Sequence, residues 1–285
     1  FHWFLEFPQV LGRGGFSVIV GNPPYIQRTK VSSYDIVGYA TEACPDIYAP
    51  CYERSLKILQ ERGRHAFIVM ISFAFGADFA PLRQVISDRN MAEFWSTYGK
   101  RPSALFVGAQ VCNTILILAP GTGSVSTAHK IFTSPSRGWL FQTLEYVQIS
   151  RKGEGIPLRG GVANRIVEYM DGLPALHASP RLAKSFMYVK NSGRYWFPAM
   201  YNNSPSFTRD FEIIDDPDPN VKVVALSESE VRDLAVAVCG GILGYLWWSA
   251  TGDDLNTGAR HTLKPRKLVD GLASDSEIVL PANVG

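Results

Sequence analysis

The sequence predicts an α/β protein. Short, nearly uninterrupted apolar runs at 16–20, 65–72 and 112–118 have the composition of buried strands. Amphipathic segments of helical period lie between the first of them, so strand, helix, strand, helix and strand follow in order. That order is the grammar of a sheet covered on both faces by helices. Near 112–132, strands follow one another with little between them, which predicts an antiparallel pair at the late edge.

Each element has its own local reason. Residues 16–20 are a short apolar strand ended by two prolines. In "IYAPCYERSLKILQER" (47–62), Tyr52, Leu56 and Leu59 recur with charges between them, which predicts an amphipathic helix, and Gly63 is placed to close it. "HAFIVMIS" (65–72) reads as a fully buried strand. Residues 79–88 predict a helix, with Pro81 tolerated in its first turn. "MAEFWSTYG" predicts a strand, 112–118 and 125–132 two more, and 137–147 a helix.

Composition changes after about residue 150. "SRKGEGIPLRGG" is a Gly-rich, basic connector, and "NRIVEYMDGL" predicts a short helix before Pro174. Next comes a stretch in which Arg181, Lys184, Lys190 and Arg194 alternate with Phe, Tyr and Trp, including Tyr195 and Trp196. "DDPDPN" is a loop, and Ser227 with Glu230 forms a candidate capping box before a helix. We therefore divide the chain into 1–150 and 151–285.

The whole-chain numbers narrow the function classes. With 285 residues, 46% hydrophobic and 19% charged, the chain can bury a real core. A net charge of +2 announces no polyanion partner, so any nucleic-acid surface has to arise by local clustering. Cys44, Cys51, Cys112 and Cys239 show no CxxC or Cys/His spacing and read as reduced thiols of a reducing compartment. The longest apolar stretch, 234–248, is too short and too glycine-broken for a membrane span. The chain opens "FHWFLEFPQV" without a Met, which gives the expectation of an excerpt from a longer protein.

The candidate chemistry lies at Asn22-Pro23-Pro24-Tyr25. One reading is a rigid turn, since Pro fixes φ and Asn favours turns. The other starts from position, because ligands of open α/β sheets bind beyond the carboxyl ends of strands. An aromatic amino group is a poor nucleophile, its lone pair being delocalised into the ring. Two acceptors aimed at its N–H bonds favour a tetrahedral nitrogen and localise that pair. Asn22 offers a side-chain carbonyl and Pro23 a backbone carbonyl, both stiffened by the prolines. Tyr25 offers a flat face on which an extruded base can stack.

"FHWFLEFPQVLGRGGFSVIVGNPPYIQ" resembles the DNA N6-adenine methyltransferases, in particular the large type IIG (Eco57I-like) branch of restriction–modification enzymes, of which it would be a C-terminal portion. "CYERSLKILQERGRHAFIVMISF", "GKRPSALFVGAQVCNTILILAP", "SRGWLFQTLEYV" and "GYLWWSATGDDLNTGARHTL" are similar to later segments of that family, in the same order. The resemblance implies a Rossmann-like S-adenosylmethionine-dependent methyltransferase sheet through residue 150. A mixed α+β, target-recognition-like region then follows at 151–285. It implies site-specific methyl transfer from S-adenosyl-L-methionine to the N6 of a flipped adenine in double-stranded DNA, in a bacterial or archaeal cytoplasm. Asn22, Pro23, Pro24 and Tyr25 would be catalytic, Tyr25 and Phe106 would hold the base, and Lys190 and Arg194 would contact DNA.

Ser17 stands where the family has Asp. The family's glycine-rich cofactor loop is not found, and "GRGGF" (12–16) precedes the strand rather than following one. No cofactor-binding residue is assigned, and the missing amino-terminal methyltransferase half or a fused nuclease is an expected partner. Two other functions stay open: a non-catalytic DNA-binding or split-subunit piece, and a protein-glutamine or RNA amino-methyltransferase. No metal site is expected. Asp253 and Asp254 read as a turn and His261 lacks a ligand partner. His65 reads as a core or strand-end residue, Cys112 and Cys239 as packing, and Trp247-Trp248 as core or interface. Lys57, Arg62 and Arg64 read as a solvated helix end.

Overall fold

A computed structural model describes residues 2–33, 35–99, 105–106, 111–127, 137–142, 144–149, 165–166, 169, 184–190, 199–202, 206–207, 210, 212–214 and 221–251. These fall into two compact units, 1–161 and 162–285.

The first unit begins with two short helices, α1 (Trp3–Glu6) and α2 (Pro8–Gly12), followed by β1 (Phe16–Gly21). Trp3, Phe7 and Phe16 pack ring against ring with centroids 5.5 to 5.8 Å apart, which ties the helices to the start of β1. β1 runs parallel to β2 (Leu59–Met70), and α3 (Tyr48–Lys57) is the crossover between them. This is the right kind of connection for two parallel neighbours, which no hairpin can join. Tyr48, Tyr52 and Leu56 recur every fourth residue on α3, so all three fall on one buried face.

After β2 come α4 (Ser72–Phe75), α5 (Ala80–Ser87) and β3 (Ala92–Tyr98). β4 (Asn113–Ala119) then runs antiparallel between β2 and β3. β5 (Ser124–Thr127) lies parallel to β3. Helix α6 (Arg137–Gln142) precedes β6 (Tyr146–Gln148), which closes the order β1-β2-β4-β3-β5-β6. The first unit is therefore α/β with a mixed six-stranded sheet, as expected. Among the described residues, β1 has only β2 as a sheet neighbour.

One face of the sheet carries the main core. Tyr48, Tyr52, Leu56, Leu82 and Ile86 from the helices meet Val69, Trp95, Leu116 and Leu118 from the strands. On the other face, among the described residues, Leu105 and, from α6, Leu140 pack with Tyr98. Val20, Ala66, Ile117, Phe94 and Val125 stand in one row across five strands. In that row Val20 is 74% exposed, Ile117 39% and Phe94 37%. Among the described residues α3 and α5 therefore serve one face and α6 the other, as expected of a sheet with helices on both faces.

Several boundaries also differ. The helix expected at 47–62 ends at Lys57, and the strand expected from residue 65 starts at Leu59. Gly63 is therefore no helix cap. It is buried inside β2, where a Cβ would lie 2.7 Å from Leu59 Cδ1. The pairing register with β1 shifts between Phe16 and Val18, which gives this stretch of β2 its bulge. Arg62 and Arg64 are exposed on that strand rather than at a helix end. The helix expected over 137–147 stops at Gln142 and gives way to β6.

In the second unit, β7 (Ser185–Lys190) pairs antiparallel with β8 (Ala199–Met200), and β9 (Ser206–Phe207) pairs with β10 (Ile213–Ile214). β11 (Val221–Leu226) pairs antiparallel with β7. Helix α7 (Ser229–Gly240) follows, and α8 (Ile242–Thr251) after it. Met187, Val189, Val224 and Leu226 meet Ala235 and Val238 of α7 in a core of their own. Phe186 and Val223, on the alternate positions, are exposed. Ser227 is not the N-cap. Glu228 occupies that position without a side-chain cap, and Ser229 Oγ instead donates to Glu230 Oε2 at 2.9 Å.

Candidate active site

β1 ends at Gly21 because Pro23 and Pro24 cannot donate to a ladder. The chain then emerges beyond the carboxyl end of the strand. Asn22 and Pro24 are exposed there, Pro23 is buried and Tyr25 is half-buried. A second set of bonds fixes the far side of this loop. Ile47 N donates to Ile26 O at 2.9 Å and Arg28 N to Pro45 O at 2.8 Å, while Gln27 and Asp46 form a bridge. The four residues are thus clamped between a strand end and the entry to α3.

Tyr25 is held at its outer end. Its hydroxyl donates to Ile68 O at 2.9 Å and accepts from Asn113 Nδ2 at 3.4 Å. The ring meets Tyr48 edge to face with centroids 6.2 Å apart. Burial pushes the Tyr25 phenol up to about 12, against a smaller lowering by Asn113, so the hydroxyl keeps its proton at neutral pH. Asn113, at the head of β4, is 1% exposed, and its Nδ2 also donates to Val69 O at 3.4 Å. Asn113 and the Ile68 carbonyl are absent from the residues expected from sequence. The signal for Asn113 was a carboxamide standing at the head of the apolar run "TILILA".

Asn22, Pro23 and Pro24 line a cleft of about 690 Å³ together with Arg54, Ser55 and Phe67. The loop after Tyr25 is tied to α3 by Glu53. Its Oε2 accepts from Thr41 N at 3.0 Å and Thr41 Oγ1 at 2.9 Å, and its Oε1 pairs with Lys57 Nζ at 2.7 Å. Burial alone would raise the Glu53 carboxyl, but these partners hold it below its ordinary value. The carboxylate is therefore engaged in holding the loop to α3 and is not poised as a general base.

The structure does not gather all the expected site residues. Phe106 is half-buried and packs against Tyr98, Leu105 and Leu140, whereas Tyr25 packs against the core cluster of Tyr48. Ile68 touches both environments, offering its carbonyl to Tyr25 while its side chain packs with the Tyr98 cluster. Lys190 ends β7, but its side chain lies outside the described residues, as do those of Trp247 and Trp248. Arg181, Arg194, Tyr195, Trp196, Asp253, Asp254 and His261 also lie outside them. His65 is a core residue, and Cys112 and Cys239 are buried. Among the described residues no three His, Cys, Asp or Glu side chains form a metal cluster, and no helix is long and apolar enough to cross a membrane.

The glycine-rich stretch before β1 has a structural reason. A Cβ on Gly15 would meet Ile58 O at 2.3 Å, and Gly15 has φ of +114°. It allows the start of β1 to approach the end of α3, at the opposite end of the strand from Asn22. Gly15 is thus used in packing β1 on α3 and is not free to cradle a nucleoside cofactor.

Residues 1–101 match the Eco57I restriction-modification methylase family. The matched segment contains β1, the Asn-Pro-Pro-Tyr loop, α3, β2 and β3. Over 118 residues, 41% of this chain, the sequence is 30% identical to a Methanocaldococcus jannaschii protein named as a type II restriction enzyme and methyltransferase. The aligned region spans 10% of that protein's length. Among solved structures, a DrdV–DNA complex is 18% identical with a TM-score of 0.41, covering 53% of this chain and 19% of that one. The ATP-dependent Type ISP restriction-modification enzyme LlaBIII bound to DNA is 16% identical with a TM-score of 0.41, covering 72% of this chain and 16% of that one.

Proposed function

We propose that residues 1–150 form the acceptor-side, C-terminal part of the catalytic domain of a DNA adenine-N6 methyltransferase of restriction–modification type. In the same reading, residues 151–285 are part of a target-recognition region. The observation that carries it is the placement of Asn22-Pro23-Pro24-Tyr25. The loop lies beyond the carboxyl end of β1, with Asn22 exposed at a cleft and Tyr25 locked by its hydroxyl, inside the segment that matches the methylase family.

The proposed chemistry concerns the acceptor only. A flipped adenine brings its amino group to Asn22, whose side-chain carbonyl accepts one N–H, while the Pro23 carbonyl accepts the other. The nitrogen lone pair localises as the group turns tetrahedral. Because the prolines fix the backbone, little reorganisation accompanies this change. Tyr25 offers its ring as a stacking surface.

S-adenosyl-L-methionine is the methyl donor in this reading. The glycine stretch before β1 does not supply its site, as Gly15 serves the packing of β1 on the end of α3, so no step through the donor is assigned to the described residues. The exposed Val18 and Val20 on the outer strand support a further part of the enzyme pairing or packing against β1 and bringing the donor site. The same feature favours a second reading, a split subunit that is inactive alone. Calorimetry tests what the two readings share: donor binding by the isolated chain sinks both the split reading and the assignment of the donor site elsewhere.

The test of the function is a transfer assay with labelled methyl donor on the complete enzyme, offering duplex DNA, RNA and release-factor protein in parallel. Label on the N6 of adenine in DNA is expected. Label in protein or RNA alone overturns the reading in favour of the other amino-methyltransferases.

A further inference from the structure

Tyr25 and Asn113 are joined by bonds whose directions leave no freedom. The single proton of the Tyr25 hydroxyl is committed to Ile68 O at 2.9 Å. Toward Asn113 the phenol oxygen can therefore only accept. The second neighbour of the Asn113 carboxamide, Val69 O at 3.4 Å, can also only accept. Both contacts thus require the nitrogen of Asn113, and a flipped carboxamide would set oxygen against oxygen twice. Asn113 is 1% exposed at the head of β4, paired with Met70 on one side and Tyr98 on the other. Its backbone is consequently held by two strands while its side chain reaches the loop.

From this geometry we infer that Asn113 is a positioning residue for the acceptor site, acting through the hydroxyl of Tyr25. The inference rests on the adenine-methylation reading above. Tyr25 is held near its Cα by the two prolines and at its oxygen by Ile68 and Asn113, with Tyr48 against the ring. A ring fixed at both ends has its plane set before a base arrives. Losing the outer anchor lets the ring rotate about its side-chain torsions, and each stacking event must then order it again. DNA itself is held mostly through its phosphates, so the loss falls on kcat rather than on KM for DNA.

The experiment is a double-mutant cycle in the complete enzyme with Asn113→Leu and Tyr25→Phe, using unmethylated genomic DNA and labelled S-adenosyl-L-methionine. Asn113→Leu keeps the volume and removes the donor, and Tyr25→Phe keeps the ring and removes the oxygen. Each is expected to lower kcat about tenfold with KM for DNA little changed. The double variant should be no worse than Tyr25→Phe, because the hydroxyl through which Asn113 acts is then already gone. A purely structural Asn113 would instead lower kcat by the same factor in the Tyr25→Phe background, and that result overturns the inference. If Asn113→Leu does not fold, Tyr25→Phe alone decides, since wild-type kcat in that variant removes the anchor's role. Asn22→Ala separates the two levels. If it and wild type label DNA equally, the reading of the site falls. If Asn22→Ala is inactive while Asn113→Leu turns over like wild type, only the role of Asn113 falls.

Discussion

Ser55 Oγ and His65 Nε2 lie 2.7 Å apart in the core, where α3 rests on β2. Ser55 Oγ donates to Tyr52 O at 2.6 Å, so the imidazole must be the donor in its bond with the serine. His65 is 0% exposed and wedged between Tyr52 and Phe67, with ring centroids 4.4 and 4.3 Å away. Burial lowers its pKa to about 3, so the folded protein holds it neutral.

That relationship predicts an acid sensitivity. The unfolded histidine titrates near its ordinary value of about 6.5. Between there and about 3 the unfolded chain binds the extra proton, so stability rises with pH across this window and is lost on acidification. Each pH unit crossed is worth about 1.4 kcal/mol. Urea melts of wild type and His65→Gln at pH 7 and pH 5 measure it. The wild type should lose about 2 kcal/mol more than the variant over that step. Equal losses would show that His65 does not couple protonation to folding.

Asn22 gives the catalytic prediction. It is exposed in a loop, so Asn22→Ala should leave thermal stability within about 0.5 kcal/mol of wild type. Methyl transfer by the complete enzyme should fall on the order of a hundredfold or more, as when one preorganised hydrogen-bonding group is removed from an active site. DNA retention in a gel-shift assay should be largely unchanged. Loss of folding and activity together would mean that Asn22 is a turn residue and nothing more.

Arg83 makes a structural prediction. It is 4% exposed, and its Nη1 donates to Phe73 O at 2.8 Å and Gly76 O at 2.9 Å, tying α5 to the turn that ends α4. Arg83→Met leaves those carbonyls short of a charged donor in the core and should cost about 2–4 kcal/mol in denaturant melts. A change below about 1 kcal/mol would show that water replaces the guanidinium.

Val20 tests the open edge. At 74% exposed it contributes little to the chain as it stands, so Val20→Lys should shift stability by no more than about 0.5 kcal/mol. Co-purification with a separately expressed donor-binding part should be lost, because a buried ammonium would have to be desolvated at the joint. Undiminished co-purification would place that contact elsewhere.

The fold was legible in sequence where local physics decides. Apolar runs at 16–20, 65–72 and 112–118 became β1, β2 and β4, and the four-residue recurrence of Tyr52 and Leu56 became the buried face of α3. The two prolines stopped β1 because they lack the donor a ladder needs. Gly63 misled because a glycine after a helical pattern looks the same whether it caps a helix or fits a bulged strand. Only the packing against Leu59 tells them apart.

Sequence alone determined the Asn-Pro-Pro-Tyr loop, since Asn22, Pro23, Pro24 and Tyr25 are neighbours in the chain and their stiffness is covalent. Tertiary structure decided everything that joins distant residues. It inserted β4 between β2 and β3, left the row from Val20 to Phe94 uncovered by α3 and α5, and set Phe106 in a different apolar cluster from Tyr25. It also brought Asn113 to the hydroxyl of Tyr25 across a separation of 88 residues. Propensity and turn chemistry act over a few residues. Contacts at that range depend on strand order and register, which no local pattern specifies.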